Sequence, residues 1–211
     1  MIDNRLGWIV MEIISPLTFG CFFLSGNGAK SPAAWIFFAL WMAHYANRSV
    51  IFPLRIHTKG KKMPLSIALS AAFFNVVNGY LNGAWLGSMG AGYDNAWLSD
   101  PRFIFGLAIF ATGAGINLWA DNRLIHLRKP DETGYKIPRG GLFQYISCPN
   151  LFGEIVEWSG FALMCWNWPA LSFAVWTAAN LIPRALAHHR WYRSHFEDYP
   201  PERKAVIPFS L

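Results

Sequence analysis

The sequence predicts an all-α fold, a polytopic bundle of six transmembrane helices with both termini in the cytoplasm. Three observations favour this class. The 211 residues are 54% hydrophobic and 17% aromatic but only 14% charged, whereas soluble domains average about 25% charged residues. Six apolar runs are each close to the roughly 20 residues that cross a bilayer as a helix. Basic residues concentrate in alternate loops, which is the pattern that orients membrane proteins.

The six runs define the predicted spans, which cover residues 8–24, 33–52, 65–86, 103–119, 151–165 and 170–186. The fifth and sixth are separated only by Asn167, Trp168, Pro169 and their neighbours, so we expect a tight helical hairpin there. The first run contains Glu12 and Pro16 and lacks a small-residue cleavage pattern after it, which argues against a signal peptide.

Orientation follows from the basic residues of the loops. With a cytoplasmic N-terminus, the loops on that side carry most of the positive charge: Arg5, Arg55, Lys59, Lys61, Lys62, Arg123, Arg128, Lys129, Lys136, Arg139, Arg190, Arg193, Arg203 and Lys204. The opposite loops carry little beyond Lys30, Asp94, Asp100 and Arg102. The net charge of +6 is therefore explained by topology rather than by nucleic-acid binding.

No Ser/Gly-rich or Pro-rich linker interrupts the runs, so residues 1–211 are predicted to form one domain. Cys21, Cys148 and Cys165 have no metal-ligand spacing and are expected to be packing residues. The histidines near the C-terminus lack supporting Cys or Asp ligands, so no metal site is predicted. The sequence contains no Walker loop and no G-x-S-x-G motif.

Polar residues recur at helical spacing around the segment between the fourth and fifth spans. Asn117 and Asp121 are four residues apart, and Asn150, Glu154 and Glu157 follow at i, i+4 and i+7. Each set therefore falls on one face of its helix. Amides and carboxylates inside membrane helices are costly and point to a functional site.

A second polar face lies where the last span leaves the membrane. Arg184, His188 and Tyr192 are spaced at i, i+4 and i+8. Together with Arg128 and the amide and carboxylate faces, they predict a polar pocket at the cytoplasmic surface. Cations and hydrogen-bond donors of this kind suit a phosphorylated ligand.

Glu12 and Tyr45 are further candidates, because both lie in apolar runs on the cytoplasmic half of their spans. Glu12 is about one turn inside the first span, and Tyr45 is about two turns from the cytoplasmic end of the second. Polar neighbours at His44, Asn47 and Arg48 argue against a helix surface that faces only lipid.

These residues make the chain resemble the membrane-embedded steroid 5α-reductases. The resemblance extends from about Trp8 to the C-terminus and is most specific in the stretches GINLWADNRLIHLRKP, GYKIPRGGLFQYIS, PNLFGEIVEW, RALAHHRWY and FEDYPPERKAVIPF. Glu12 and the cluster of His44, Tyr45 and Arg48 also match the family pattern. The family usually has one more hydrophobic helix before the one that carries the glutamate. Met11, Phe52 and Lys136 stand where glutamine, tyrosine and arginine are common.

The resemblance implies an integral membrane enzyme that uses NADPH to reduce the 4,5 double bond of a 3-oxo-Δ4-steroid. It assigns the substrate carbonyl to Glu12 and Tyr45, and apolar substrate walls to Trp8 and Trp158. Residues 1–100 would be mainly substrate-side helices and residues 101–211 mainly the cofactor-binding region. The dinucleotide is assigned to a set of polar residues: Arg48, Asn117, Asp121, Arg128, Tyr135, Lys136, Asn150, Glu154, Arg184, His188, Tyr192 and Arg203.

The expected chemistry is hydride addition to the β-carbon of an enone. Negative charge then develops on the carbonyl oxygen, where a donor stabilises it. Tyr45 is assigned that donor role, with Glu12 as its partner. The expected location is the inner membrane in a bacterium or the endoplasmic reticulum in a eukaryote, with the bilayer and the steroid as partners and no obligate protein partner.

Other functions fit parts of the pattern. A reductase of another sterol or a polyprenol would differ only in substrate shape. A membrane methyltransferase that uses S-adenosylmethionine would also place polar helix faces and a basic tail at the cytoplasmic surface, although its cofactor carries no phosphate. A scaffold or lipid-binding membrane protein needs neither Glu12 nor the polar faces inside spans.

Overall fold

A computed structural model describes residues 1–56, 58, 60–89, 92–127, 132 and 134–211. Its main elements are helices, which confirms the predominantly helical class: α1 Asn4–Ser25, α2 Pro32–Ala46, α3 Phe52–Arg55, α4 Leu65–Ala84, α5 Pro101–Ile125, α6 Pro149–Cys165 and α7 Trp168–His195. Strands β1 (Ile2–Asp3) and β2 (Lys62–Met63) pair antiparallel in a ribbon that the sequence analysis did not predict.

Local sequence explains where these helices begin and end. The side chain of Asp3 accepts from the backbone N–H of Leu6, and that of Ser31 accepts from the N–H of Ala34, so α1 and α2 both start at a polar cap. The π-helical turn Asn47–Ile51 continues α2 into α3. Helix α6 ends at Trp166, whose φ of 47° places it in the left-handed conformation.

Helix α5 begins beside a tight pair of charges. The carboxylate of Asp100 accepts from the Arg102 guanidinium at 2.9 and 2.7 Å and from the backbone N–H of Arg102 at 2.8 Å. These hydrogen bonds lower the pKa of Asp100 to about 2. The carboxylate therefore stays ionised at neutral pH, where it suits the positive end of the helix dipole.

Each of the six predicted spans falls on a helix of this series. By length and composition, α1, α5 and α7 are long and apolar enough to cross a membrane, which marks an integral membrane protein. That residues 33–52, 65–86 and 151–165 also cross, and that both termini are cytoplasmic, stay predictions.

Reporter fusions test the predicted orientation. A reporter after Leu211 should be active in the cytoplasm, whereas one inserted at Gly92, in the loop after the third predicted span, should be exported. At each position, a phosphatase reporter and a fluorescent-protein reporter should give opposite signals, so each reporter serves as the control for the other. The reverse pattern would contradict the orientation and the cytoplasmic position of the polar pocket.

The contacts divide the chain into two compact units. Unit 1 comprises Met1–Phe103 with Asn167–Pro169, and unit 2 comprises Ile104–Trp166 with Ala170–Leu211. That residues 1–211 form one domain stays a prediction.

In unit 1, α1 packs closely on α4. A Cβ at Gly83 would lie 2.6 Å from the carbonyl oxygen of Phe19, so only glycine permits this approach. The amide of Asn75 donates to the carbonyl of Met11 at 2.7 Å across the same contact. Small residues with polar side chains beside them are typical of helix pairs in membranes.

In unit 2, α6 and α7 form the predicted helical hairpin. Leu151 near the start of α6 belongs to the same buried apolar cluster as Ala185 in the second half of α7. Farther along, the rings of Trp158 and Phe173 are 4.4 Å apart. The two helices therefore run in opposite directions around a shared apolar seam.

Candidate active site

The substrate-side candidates lie on α1 and on the helix that continues from α2. Trp8 and Glu12 are one turn apart on α1, so they share a face. The Arg48 guanidinium lies 5.0 Å from the Trp8 ring and 5.1 Å from the Phe52 ring, within the range of a cation–π interaction. Only 9% of Arg48 is exposed. Trp8, which is predicted to line the substrate site, is therefore in contact with Arg48, which is predicted to bind the cofactor.

Tyr45 is buried on the same face as Arg48. Its ring is 5.4 Å from that of Trp41, which stacks on Phe19 of α1 at 4.5 Å. The hydroxyl of Ser49 donates to the carbonyl of Tyr45 at 2.6 Å. The Tyr45 ring thus packs against Trp41 in the interior of unit 1, and Ser49 bonds to the backbone of the same residue.

Two contacts fix how the α1 and α2 faces oppose each other. Trp8 meets Arg48 and Phe19 meets Trp41, so the helices are antiparallel. Glu12 lies about four-tenths of the way from Trp8 to Phe19 on α1. Tyr45 lies about four-tenths of the way from Arg48 to Trp41 on the facing helix. Glu12 is therefore level with Tyr45 on the facing helix, and it is partly exposed in this structure.

The cofactor-side candidates of α5 and α6 form a hydrogen-bonded group in unit 2. The amide of Asn117 donates to the backbone carbonyl of Asn150 at 3.0 Å, and the amide of Asn150 donates to the Asp121 carboxylate at 3.1 Å. Asn117 and Asp121 are only 3% and 5% exposed. A carboxylate can accept several hydrogen bonds at its two oxygens, so the group combines amide donors with a strong acceptor.

Glycines bring these two helices into backbone contact. A Cβ at Gly113 would lie 2.2 Å from the backbone nitrogen of Glu157, and a Cβ at Gly153 would lie 2.5 Å from that of Asn117. Real Cβ atoms do not approach so closely, so α5 and α6 can meet here only through glycine. The close approach places Asn117 within reach of Asn150.

The C-terminal tail adds a buried arginine. Arg203 is 4% exposed, and its guanidinium carbon lies 5.2 Å from the Tyr199 ring. Among the described residues, its Nε and Nη1 atoms have no hydrogen-bond partner. A buried cation with open donors is costly unless an anion binds it, so the residues fit a phosphate-bearing ligand.

Other predicted cofactor residues are more exposed. Arg184 and His188 lie on the exposed part of α7, and Glu154 is partly exposed on α6. Tyr135 packs edge-on against Trp191 at 4.8 Å. Lys136 forms an ion pair with Glu132, with which a ligand would compete. Arg128 lies outside the described residues.

Trp158, the second predicted substrate wall, is packed in the interior of unit 2 with 1% exposure. Its neighbours are Phe110, Phe161 and Phe173. The ring thus belongs to an aromatic core shared by α5, α6 and α7. Its role toward a substrate stays a prediction.

Cys148 is a packing residue, as its lack of ligand spacing predicted. Burial raises the pKa of its thiol to about 12, against the opposing effect of the positive charge of Arg184. A thiol of this kind is not ionised at neutral pH and is a poor nucleophile. In the part of the chain that the structure describes, no group of three or more His, Cys, Asp or Glu is placed to hold a metal ion.

A second polar cluster, beside the C-terminal tail, was not predicted from the sequence. Ser147, His189 and Tyr199 come from three separate segments and meet through short contacts. The only local signal was the pair His188–His189 in the sequence, which gives no indication of partners 40 or more residues away. Such contacts become visible only after the chain folds.

Long apolar helices that contain buried amides and carboxylates define an integral membrane protein with a polar site inside it. Comparison with known proteins identifies the family within this class. Residues 61–211 match the family profile described as 3-oxo-5-alpha-steroid 4-dehydrogenase. The chain belongs to this family, whose members are oxidoreductases that act on CH–CH bonds.

Relatives in animals and plants match nearly the whole chain. It is 48% identical to the 3-oxo-5-alpha-steroid 4-dehydrogenase 1 of Bos taurus, over 97% of this chain and 80% of the relative. It is 45% identical to the steroid 5-alpha-reductase DET2 of Gossypium hirsutum, over 99% of this chain and 82% of the relative. The human 3-oxo-5-alpha-steroid 4-dehydrogenase 1 is 42% identical, over 99% and 80%. These matches confirm the resemblance found in the sequence.

Proposed function

We propose that this protein reduces the 4,5 double bond of 3-oxo-Δ4-steroids with NADPH. The observation that carries the proposal is the similarity to steroid 5-alpha-reductases of animals and plants over 97% to 99% of the chain. The conserved reaction type of such relatives supports the same activity here. The apolar helices suit a substrate that reaches the enzyme through the lipid phase.

The cofactor assignment is supported by the donors and acceptors of unit 2. Arg203 has a buried guanidinium whose Nε and Nη1 have no hydrogen-bond partner in the part of the chain that the structure describes, and these donors would suit a phosphate. Asn117, Asp121 and Asn150 present amide and carboxylate groups that can bond to ribose hydroxyls or to a carboxamide. Bound NADPH would supply the hydride, while the protein binds, orients and shields the reactants.

Unit 1 is assigned the substrate carbonyl. An enone accepts hydride at its β-carbon because the negative charge can move to the carbonyl oxygen, and a proton added at the α-carbon then completes the reduction. In the proposed mechanism, the Tyr45 hydroxyl donates to that oxygen, and Glu12 on the facing helix orients the hydroxyl. A donor fixed by packing stabilises the developing charge without reorganising during the reaction. The packing of Tyr45 on Trp41, which in turn stacks on Phe19, supports such fixation.

The direct experiment is an assay of the purified protein in detergent or liposomes. A 3-oxo-Δ4-steroid such as testosterone or progesterone is supplied with NADPH, and the 5α-reduced product is measured. Parallel titrations with NADPH and S-adenosylmethionine separate a reductase from a methyltransferase. Binding of S-adenosylmethionine without NADPH binding, or NADPH binding with no steroid reduced, would contradict the proposal.

Cofactor preference provides a further prediction. NADPH should bind more tightly than NADH, because the 2′-phosphate attracts arginines that the NADH ribose does not use. Replacing Arg203 with alanine should weaken NADPH binding by roughly 10- to 100-fold, since a charge-assisted contact is lost. Arg190, which is exposed on α7, provides a matched control, and Arg190→Ala should change the Kd little. Equal losses in the two variants would mean that general positive charge, rather than the buried site, binds the cofactor.

A further inference from the structure

Ser147, His189 and Tyr199 form a hydrogen-bonded cluster that joins three segments of unit 2, with Ser147 and Tyr199 buried and His189 partly exposed. The Ser147 hydroxyl oxygen lies 2.6 Å from Nδ1 of His189 and 2.6 Å from the Tyr199 hydroxyl. Ser147 is 4% exposed and Tyr199 is 7% exposed. Hydrogen bonds shielded from water in this way are stronger than those at the surface and hold their groups in one arrangement.

The backbone beside Ser147 also pairs with the C-terminal tail. The N–H of Ser147 donates to the carbonyl of Lys204 at 2.8 Å, and the N–H of Lys204 donates to the carbonyl of Tyr145 at 2.9 Å. The N–H of Cys148 donates to the carbonyl of Ala205 at 3.1 Å. These bonds fix the tail to the segment before α6. The side-chain cluster adds α7 to the same assembly through the contact of Ser147 with His189.

Tyr199 connects the cluster to two predicted cofactor residues. Its ring stacks on that of Tyr192 at 5.3 Å with an angle of 13° between the planes. The guanidinium carbon of the buried Arg203 lies 5.2 Å from the same ring. Movement of Tyr199 would therefore move both the arginine and the aromatic surface next to it.

His189 and Ser147 adjoin the remaining polar residues of the region. His189 directly follows His188 on α7, and Ser147 precedes Asn150 by three residues at the start of α6. Each member of the cluster thus neighbours a predicted cofactor residue from a different segment. None of the three was among the predicted cofactor contacts.

We propose that Ser147, His189 and Tyr199 form a latch that positions the cofactor-binding residues of α6, α7 and the tail for a phosphorylated dinucleotide. The latch residues are positioning residues and need not touch the cofactor. The residues that they position are Asn150, His188, Tyr192 and Arg203. The proposal rests on the proposed function, because it requires that the protein binds NADPH.

The hydrogen-bonding capacity of serine defines which atoms the latch uses. A serine hydroxyl has one proton and two lone pairs. Tyr199 can donate to the Ser147 oxygen while Ser147 donates to Nδ1 of His189. Alternatively, Nδ1–H donates to Ser147, which donates to the carbonyl of Lys204 at 3.1 Å. Both arrangements use Nδ1 of His189, so a side chain that places an amide near Nδ1 should replace the histidine.

The test compares two amides at position 189 in the full-length protein. Asparagine places its amide near the position of Nδ1, whereas the longer glutamine places it near Nε2. His189→Asn should bind NADPH within about threefold of the parent, and His189→Gln should bind about tenfold more weakly or worse, as expected for a lost buried hydrogen bond. Ser147→Ala and Tyr199→Phe should weaken binding similarly, the latter with its ring contacts retained.

The double variant Ser147→Ala/His189→Asn distinguishes positioning from a general effect on stability. An asparagine at position 189 can replace the histidine only through its hydrogen bond to Ser147. Without the serine hydroxyl it should no longer restore NADPH binding, so the Kd of the double variant should equal that of Ser147→Ala. The melting temperature of each variant without cofactor provides the control. A lowered melting temperature with an unchanged NADPH Kd, or equal Kd values for the asparagine and glutamine variants, would overturn the latch. Failure of the parent to bind NADPH would instead overturn the proposed function, and the latch with it.

Discussion

Turnover of a 3-oxo-Δ4-steroid should fall by roughly a hundredfold or more when Tyr45 is replaced with phenylalanine, the scale expected for loss of one oxyanion donor. The substitution removes one hydroxyl and keeps the ring that packs against Trp41 at 5.4 Å. The fold should therefore be retained, and the loss should come from the chemical step. The measurement is steroid reduction at saturating NADPH, with cofactor binding as evidence of folded protein.

NADPH affinity separates this effect from one on binding. Tyr45 lies in unit 1, whereas most predicted cofactor contacts lie in unit 2, so the Kd for NADPH should barely change in Tyr45→Phe. Tyr80, an exposed tyrosine of α4 in the same unit, provides a matched control, and Tyr80→Phe should retain turnover. Near-normal turnover of Tyr45→Phe would exclude its hydroxyl as the donor.

Glu12→Gln tests the partner role on the facing helix. Glutamine keeps the shape and most hydrogen bonds but cannot ionise. If Glu12 acts by orienting the Tyr45 hydroxyl, the double variant should be little worse than the more impaired single variant, because residues that act as a unit are not additive. Multiplicative losses would show that the two side chains act independently.

The sequence predicted the helices because apolar runs near 20 residues long carry a strong signal. It also placed Asn117 with Asp121, since a spacing of four fixes one face of a helix whatever packs against it. The donation from Asn117 to the backbone of Asn150 needed a tertiary contact that no local pattern encodes. The β1–β2 ribbon was missed because two-residue strands have no detectable period.

The glycines of α5 also show that a local sequence pattern does not reveal tertiary contacts. Gly113 and Gly115 lie two residues apart in the fourth predicted span, and no local pattern distinguishes them. The structure separates them: a Cβ at Gly113 would meet the backbone of α6, whereas one at Gly115 would meet nothing within 4 Å. Their different roles depend on which side of α5 faces α6, which the spacing alone did not identify.

This difference provides the last prediction. Gly113→Ala should force α5 and α6 apart, because its Cβ would lie 2.2 Å from the backbone nitrogen of Glu157 and 2.6 Å from the carbonyl oxygen of Gly153. Overpacking of this kind costs about 1–3 kcal/mol. The bond from Asn117 to Asn150 should weaken with it, so we expect a lower melting temperature and an NADPH Kd raised about tenfold or more. Gly115→Ala should be neutral or slightly stabilising, since alanine is favoured over glycine in a helix by about 0.5–1 kcal/mol.

Gly153→Ala examines the same contact from α6, because its Cβ would lie 2.5 Å from the backbone nitrogen of Asn117. Since the two glycines share one interface, the double variant should lose less stability than the sum of the single losses once the helices have separated. Melting temperature and NADPH Kd are measured for all four variants in the same detergent. If Gly113→Ala and Gly115→Ala behave alike in both measurements, backbone contact between α5 and α6 does not position the asparagine pair, and the cofactor site must depend on other contacts of these helices.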